Sequence, residues 1–379
     1  MTGPQRVAIV HEWFTSMRGG EKCVEALCEV FPGAELFALV HLPGTVSPAI
    51  ERMTIHTSFI QRLPFARERF RHYLPLFPAA IERFDLRGFD LVISSNHCVA
   101  KGARAPRGSL HICYCHTPMR YIWSMYDAYF GRGRAGITTR MTMRAIAPRL
   151  RRWDVRTAAR PDYFVANSEH VRGRIRDVYR READIIYPPV DAHRFSVSRR
   201  DEGYFLIVSA LVPYKFVDLA VQTFRKTGQR LVVAGDGQEM GKLRSMAGPT
   251  VRFVGRVSDE ILREYYAGCR AVVFPGEEDF GIVPLEAMAS GKPVIAFAKG
   301  GARETVLDTP GLRTGILFHE QTTDALAAAL ERFENTPFDP DVLRSFALRF
   351  DRPKYKELMC EYIGRRWEEF QGRDRQTHT

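Results

Sequence analysis

Between Val272 and Ala296 the chain reads strand, loop, helix and strand in quick succession, an order that restricts it to an α/β sheet with helical crossovers. Val272-Val273-Phe274 is a β-branched run halted by Pro275-Gly276. Val283 to Ala289 is helix-forming, with Pro284 in the first turn, where its missing N–H does no harm. Gly291-Lys292-Pro293 ends that helix and Val294 to Phe297 starts the next buried strand. Glu278, Phe280 and Gly281 therefore occupy a strand-to-helix loop. Ligands of open α/β sheets gather at that edge, and the amides opening the helix attract phosphate. Two carboxylates mark the segment, Glu278 in the loop and Glu286 on the helix. Such a pair can accept hydrogen bonds from sugar hydroxyls and a ribose; it is equally an acidic loop followed by a helix charge that balances the dipole.

The same alternation runs along the whole chain. Arg6 to Val10 is a short strand, the loop Gly19-Gly20 follows, and Cys23, Val24, Leu27, Val30 and Phe31 space out a helix from about Gly20 to Phe31. Gly19 and Gly20 let backbone come close to a ligand where a Cβ would clash. Ala34 to Val40 is a strand; Phe59 to Phe84, basic, aromatic and broken by Pro64, Pro75 and Pro78, forms short helices that pack together as an ordinary pair, lie on a membrane or form an acceptor pocket. Phe89 to Ser95 and Leu110 to Pro118 read as buried strands. His116 falls at the ligand-gathering end of the second, whereas His111 lies within it as a core residue. The aromatic run Tyr121 to Phe130 is suited to lining a pocket, and Arg140 to Arg160 forms a basic helix. Phe164 to Ser168 is a strand whose Ser168 caps the next helix.

Pro188-Pro189 enforces an extended connection and marks a domain boundary. Beyond it come strands at Tyr204–Ser209, Arg230–Ala234 and Val251–Val254, with helices at Val217–Thr227 and Asp259–Ala267. Lys354 to Phe370 is a final amphipathic helix. The expected domains are residues 1–188, 189–352 and a terminal helical segment, 353–379. Repeated units of this length indicate doubly wound parallel sheets.

A chain of 379 residues suits two such domains. No apolar run approaches the roughly 18 residues of a membrane span, and the first residues enter a strand without a signal-peptide pattern, so a cytoplasmic protein is expected. Seven scattered cysteines do not suggest a disulfide framework. Cys113-Tyr114-Cys115-His116 lacks the second ligand pair a structural zinc needs. The net charge of +11 comes mostly from arginine between Arg62 and Arg181. Without a nucleic-acid-binding signature, that charge points to an anionic membrane surface rather than nucleic acid, with solvated basic faces as the plain alternative.

The segment from Glu278 to Glu286 resembles the donor-sugar loop of retaining glycosyltransferases of family 4, the group with the GT-B fold of two facing Rossmann-like domains. Ser209-Ala210-Leu211-Val212-Pro213-Tyr214-Lys215 is similar to their diphosphate loop, and Ala234-Gly235-Asp236-Gly237 and Phe253-Val254-Gly255-Arg256 to their nucleotide-base loops. His11-Glu12-Trp13, Gly19-Gly20-Glu21 and Tyr114 to Trp123 resemble a mannosyltransferase-like branch acting in bacterial surface polysaccharide assembly. The resemblance implies a final helix that crosses back to the first domain. It implies a hexosyltransferase moving mannose from a nucleotide diphosphate sugar, GDP-mannose, to a lipid-linked saccharide, with retention of configuration by front-face attack. The enzyme would sit peripherally at the inner face of the cytoplasmic membrane.

His116, Glu278 and Lys215 are the implied catalytic residues. Gly19, Gly20, Lys215, Gly235, Arg256, Glu278, Phe280, Gly281, Ile282, Val283 and Glu286 are the implied donor-binding set. Neither metal nor cofactor is expected, since Lys215 and the amides of 280–283 can take up the charge growing on the leaving diphosphate while Glu278 positions the sugar ring. One position departs from the pattern. Family members usually carry Arg where this chain has Ala210, and losing one cation there costs about 2 to 4 kcal/mol of transition-state stabilisation unless another replaces it. A sugar-nucleotide epimerase or hydrolase of the same fold, and a nucleotide-binding scaffold that has lost turnover, are the alternatives left open.

Overall fold

The apolar runs become the inner strands of two separate parallel sheets, seen in a computed structural model that describes residues 3–131, 136–309 and 311–377. One unit comprises Met1–Pro189 together with Pro353–Thr379; the other is Val190–Arg352.

The first sheet consists of β1 (Val7–Phe14), β2 (Glu35–His41), β3 (Thr54–Thr57), β4 (Leu91–Asn96), β5 (Leu110–Cys115), β6 (Tyr163–Ala166) and β7 (Asp184–Ile185), in the order β3-β2-β1-β4-β5-β6-β7. Every residue of β1, β4 and β5 is buried, as expected of strands covered on both faces. Side chains alternate: Ala8 and Val10 join one apolar cluster with Val92, while Val7 and Ile9 join the other with Leu91 and Ile93. Strand order reverses between β1 and β4, whose registers pair His11 with Ser95. The polar ends of these strands thus meet at the sheet's switch point.

Helix α1 (Gly19–Val30) buries Cys23, Val24 and Leu27 on one face of this sheet. The opposite face is covered by the Pro-broken segment, where Ile60, Phe70, Leu74, Phe77 and Ile81 pack around Trp13. That segment is a packed helix set, although Phe65 (71% exposed) and Leu76 (41%) remain outside. Helix α2 (Ile137–Thr157) begins before the expected Arg140 and buries Met143, Ala147, Leu150 and Trp153. Met141 and Val155 on the same helix are exposed because they fall off that stripe. Ser168 Oγ accepts the Val171 N–H at 3.1 Å and caps α3 (Glu169–Tyr179).

In the aromatic run after Thr117, Tyr121, Trp123, Tyr126 and Phe130 pack part-buried against the first cluster. Trp123 Nε1 and Tyr179 Oη donate to Asp154 Oδ2 at 2.8 and 2.9 Å, and Lys101 Nζ contacts Asp154 Oδ1 at 2.5 Å in a fully buried ion pair. Four polar groups from separate elements are thereby satisfied together, the condition under which a buried charge is tolerated.

The second unit's sheet contains β8 (Tyr204–Val208), β9 (Arg230–Ala234), β10 (Val251–Gly255), β11 (Val272–Phe274), β12 (Val294–Phe297) and β13 (Gly315–Phe318), ordered β10-β9-β8-β11-β12-β13. Helices α4 (Val217–Thr227), α5 (Asp259–Gly268) and α6 (Ile282–Ala289) alternate with these strands. This is again a Rossmann-like sheet, with its switch point between β8 and β11. The final helix, α7 (Arg352–Thr377), crosses back to the first unit. Tyr355, Met359, Tyr362 and Ile363 complete that unit's second cluster, and the Tyr355 and Tyr114 rings meet edge to face at 5.8 Å. Lys356 and Arg366 add ion pairs to Glu29 and Asp184.

Candidate functional site

Two sets of polar side chains collect at the switch points, one in each unit. In the second unit, β8 runs out through Ser209 and Ala210 into a single turn, Pro213–Lys215, and β11 runs out through Pro275-Gly276. The two loops touch: a Cβ at Gly276 would lie 3.0 Å from Lys215 Cα. Lys215 Nζ forms an ion pair with Glu278 Oε1, with side chains 15% and 27% exposed. Glu278 is held by its backbone, whose carbonyl accepts the Gly301 N–H at 2.9 Å. Glu277 beside it pairs with Lys299 at 3.0 Å.

Gly281, at φ 88°, is the cap residue of α6, a left-handed conformation that any side chain would resist. It turns the chain so that Ile282 and Val283 open the helix. Phe280 is buried, its ring 5.9 Å from that of Phe350, so its side chain serves the core and only its backbone is offered to a ligand. Glu286 Oε2 accepts a hydrogen bond from Tyr266 Oη at 2.9 Å. Tyr266 is wholly buried on α5, and burial followed by the charge of Glu286 pushes its phenol upward, so it stays a donor. Gly235 has a backbone reason to be glycine, since a Cβ there would come within 1.8 Å of the Ser209 carbonyl oxygen. Arg256 is exposed beyond β10 and has no ion-pair partner among the described residues.

In the first unit the Gly19-Gly20 turn opens α1 directly over two imidazoles. A Cβ on Gly20 would meet His11 Cε1 at 3.4 Å and His116 Nε2 at 3.7 Å. His11 Nδ1 lies 3.2 Å from the Ser95 carbonyl oxygen and 3.0 Å from Ser95 Oγ, which in turn lies 2.9 Å from His116 Nε2. On its other side, His11 Nε2 faces Glu21 Oε1 at 3.7 Å, while Glu21 Oε2 accepts the Arg18 N–H at 3.1 Å. Burial lowers the His11 pKa, but Glu21 and then Glu12 outweigh it and the net shift is upward. For His116 burial prevails, aided by the nearby imidazoles of His97 and His11, and its pKa falls to about 3. It is neutral at physiological pH.

Glu12 is fully buried, yet Oε1 accepts four consecutive backbone N–H groups, from His97, Cys98, Val99 and Ala100, at 2.8 to 3.1 Å. Its Oε2 lies 2.8 Å from His97 Nδ1. Burial raises its pKa, but His97 and these amides more than offset that, and the carboxylate stays ionised. His11, Glu12 and His97 also bring three potential metal-binding atoms within 4.8 Å of one another. In this structure each of the three side chains is engaged by protein groups: Glu12 by the amides and His97, and His11 by Ser95.

Of the residues expected from sequence, Lys215 and Glu278 meet directly, while Gly20 and His116 meet through space in the other unit. Gly281, Ile282, Val283 and Glu286 follow Glu278 on the same loop and helix. The roles of Ser95, Glu21, Tyr266 and His97 were missed. The polar end Ser94-Ser95-Asn96 was the available signal, but only the parallel register sets Ser95 beside His11. His111 is a core residue, its Nε2 2.9 Å from Ser94 Oγ, although its buried Nδ1 has no hydrogen bond. Cys113 and Cys115 are buried against α3. No described helix is long and apolar enough to cross a membrane.

A family model described as Glycosyltransferase Family 4 matches residues 17–194, and one described as Glycosyl transferases group 1 matches residues 190–348. A GDP-mannose-dependent alpha-mannosyltransferase of Mycobacterium tuberculosis is 38% identical over 155 residues, 36% of this chain and 40% of that protein. An O-antigen chain mannosyltransferase of Salmonella typhimurium is 26% identical over 199 residues, 47% of this chain and 52% of the relative. The matching stretches thus span about half or less of the curated relatives' length. Among solved structures, a sucrose-phosphate synthase from Thermosynechococcus elongatus superposes with a TM-score of 0.73 at 20% identity, covering 96% of this chain and all of that one. Its likeness establishes the GT-B fold.

Proposed function

The chain belongs to the glycosyltransferases described by those two family models, and from that premise we propose that it is a retaining hexosyltransferase carrying mannose from GDP-mannose to a lipid-linked saccharide. The observation that carries this reading is the meeting of Lys215 and Glu278 at the switch point of the second sheet, beside the N-terminus of α6. As the bond between the anomeric carbon and the diphosphate lengthens, negative charge grows on phosphate and positive charge on the ring. Lys215 and the amides of 280–283 stabilise the first, and Glu278 orients the second. Glu286, held by Tyr266, accepts ribose hydroxyls on this reading. The GDP-mannose-dependent relative supports mannose and guanosine, and the O-antigen chain relative supports mannose. With this charge supplied by the protein, transfer proceeds without a divalent ion, and activity survives removal of metal by a chelator.

The acceptor would be membrane-borne. Exposed Phe65 stands among Arg62, Arg67 and Arg69, and α2 exposes Ile137 and Met141 on an arginine-rich helix. Apolar side chains set in basic surface suit an anionic bilayer, and binding to anionic vesicles should weaken as salt rises.

Thermal stabilisation by GDP, UDP, ADP and their sugar conjugates tests the donor reading. Ligand at 100 times its dissociation constant adds about 2.7 kcal/mol of apparent stability. GDP and GDP-mannose should raise the unfolding temperature selectively, and Lys215→Ala or Glu286→Ala should abolish the shift. A second reading draws on Ala210: with no cation there and Lys215 already neutralised by Glu278, the chain would bind nucleotide and transfer nothing. Nucleotide binding without sugar release or transfer would favour it, whereas hydrolysis or epimerisation without any acceptor would place the chain among sugar-nucleotide enzymes of another kind.

A further inference from the structure

The buried contacts around His116 determine which of its nitrogens carries the proton. The Ser95 carbonyl oxygen can only accept, so His11 Nδ1, 3.2 Å away, must be an N–H. The same N–H faces Ser95 Oγ at 3.0 Å, which therefore accepts from it and cannot donate back. The Ser95 hydroxyl hydrogen is left with one described acceptor, His116 Nε2 at 2.9 Å. His116 Nε2 is then a bare lone pair, and the neutral ring holds its proton on Nδ1.

We propose that Ser95, oriented by His11, is a positioning residue that locks His116 in the Nδ1–H tautomer, so that His116 presents a hydrogen-bond donor, not a base, to a substrate hydroxyl. Its significance for transfer rests on the reading of the chain as a glycosyltransferase; the tautomer itself does not. The lock is well protected. Ser95 and His11 are completely buried, Gly20 closes over both imidazoles, and the ring of Tyr114 stacks edge-on against His116 at 5.1 Å. Glu21 supports the relay from behind by facing the other nitrogen of His11. A ring free to choose would spend part of its time with the lone pair toward the substrate; a locked one is preorganised, which is how an enzyme gains from a single hydrogen bond.

Nitrogen-15 NMR of histidine-labelled wild-type protein reads the tautomer directly. His116 should show a protonated Nδ1 and an unprotonated Nε2, and should keep that pattern as the pH falls from 8 to 5. In Ser95→Ala the two tautomers should mix. An Nε2–H form in the wild-type protein, or an unchanged pattern in Ser95→Ala, would overturn the proposal without touching the glycosyltransferase reading. Transfer assays supply the second arm. An Asn amide reaches the position of Nδ1 and a Gln amide that of Nε2, so His116→Asn should retain more kcat than His116→Gln by about tenfold, the value of one net hydrogen bond. Ser95→Ala should lower kcat with KM little changed. Equal loss in the Asn and Gln variants would count against the donor role, and absence of transfer by the wild-type protein would instead remove the functional reading while leaving the tautomer measurement to stand.

Discussion

The two units carry similar sheets but treat charge in opposite ways. The first buries it: Glu12, Glu21, His11, Lys101 and Asp154 are almost or wholly out of water and held by fixed partners, although His11 Nε2 and Glu12 Oε2 make no hydrogen bond. The second keeps its principal pair, Lys215 and Glu278, part-exposed, with each the other's partner. A network sealed in low dielectric fixes geometry at high cost if one member is lost; a part-exposed pair can exchange partners when a ligand arrives. One unit is thus suited to orienting groups and the other to trading charge.

The largest expected effect breaks the buried side of that contrast. Asp154→Ala strands Lys101 and frees the donors of Trp123 and Tyr179, and should cost about 3 to 5 kcal/mol of stability, read by denaturant unfolding. Hydrogen exchange should localise the loss to the first unit. Lys215→Ala should do the reverse. It should leave the unfolding midpoint near that of the wild type while lowering kcat/KM for transfer by the equivalent of about 2 to 4 kcal/mol, roughly 30- to 1000-fold. Comparable destabilisation by both variants would erase the distinction between the units.

Acid sharpens the comparison. His111 and His116 are buried with pKa values lowered to about 3, so each takes up a proton on unfolding below the ordinary histidine value of 6.5. Stability of the first unit should therefore fall as pH drops from about 6.5 toward 3, by at most about 1.4 kcal/mol per pH unit for each ring. His11 has the opposite sign: its raised pKa stabilises below 6.5, and that contribution fades as pH rises through the folded value. His116→Asn should flatten the acid limb, and regional hydrogen exchange at pH 5 should show the first unit opening before the second. The smallest effect concerns Glu278→Gln. Releasing Lys215 should tighten GDP binding about threefold by calorimetry, in line with a part-exposed ion pair, even as transfer slows.

Much of this architecture was legible because parallel strands buried on both faces announce themselves as apolar runs. Val272–Phe274 and Val294–Phe297 have the bounds their β-branched residues suggested, and Ser168 caps its helix. The edge strands β3 and β7 gave no such signal, being short, polar and largely exposed. The same split applies to the candidate site. Lys215, Glu278 and Glu286 lie on loops whose local spacing carries a pattern. Ser95 meets His11 only through the pairing of β1 with β4, and Tyr266 meets Glu286 across 20 residues of chain. Tertiary register, unlike a loop motif, leaves no periodic trace in sequence.

The crossing of α7 also sets an order of events during synthesis. Tyr355, Met359, Tyr362 and Ile363 belong to the first unit's core but leave the ribosome after all of Val190–Arg352. At 5 to 20 residues per second the early-made sheet waits on the order of ten seconds for its last helix, with the apolar face beside Tyr114 uncovered. The second unit, continuous in the chain, has no such delay. The part made first is therefore finished last, and during that interval it is the segment of the nascent protein most in need of a chaperone.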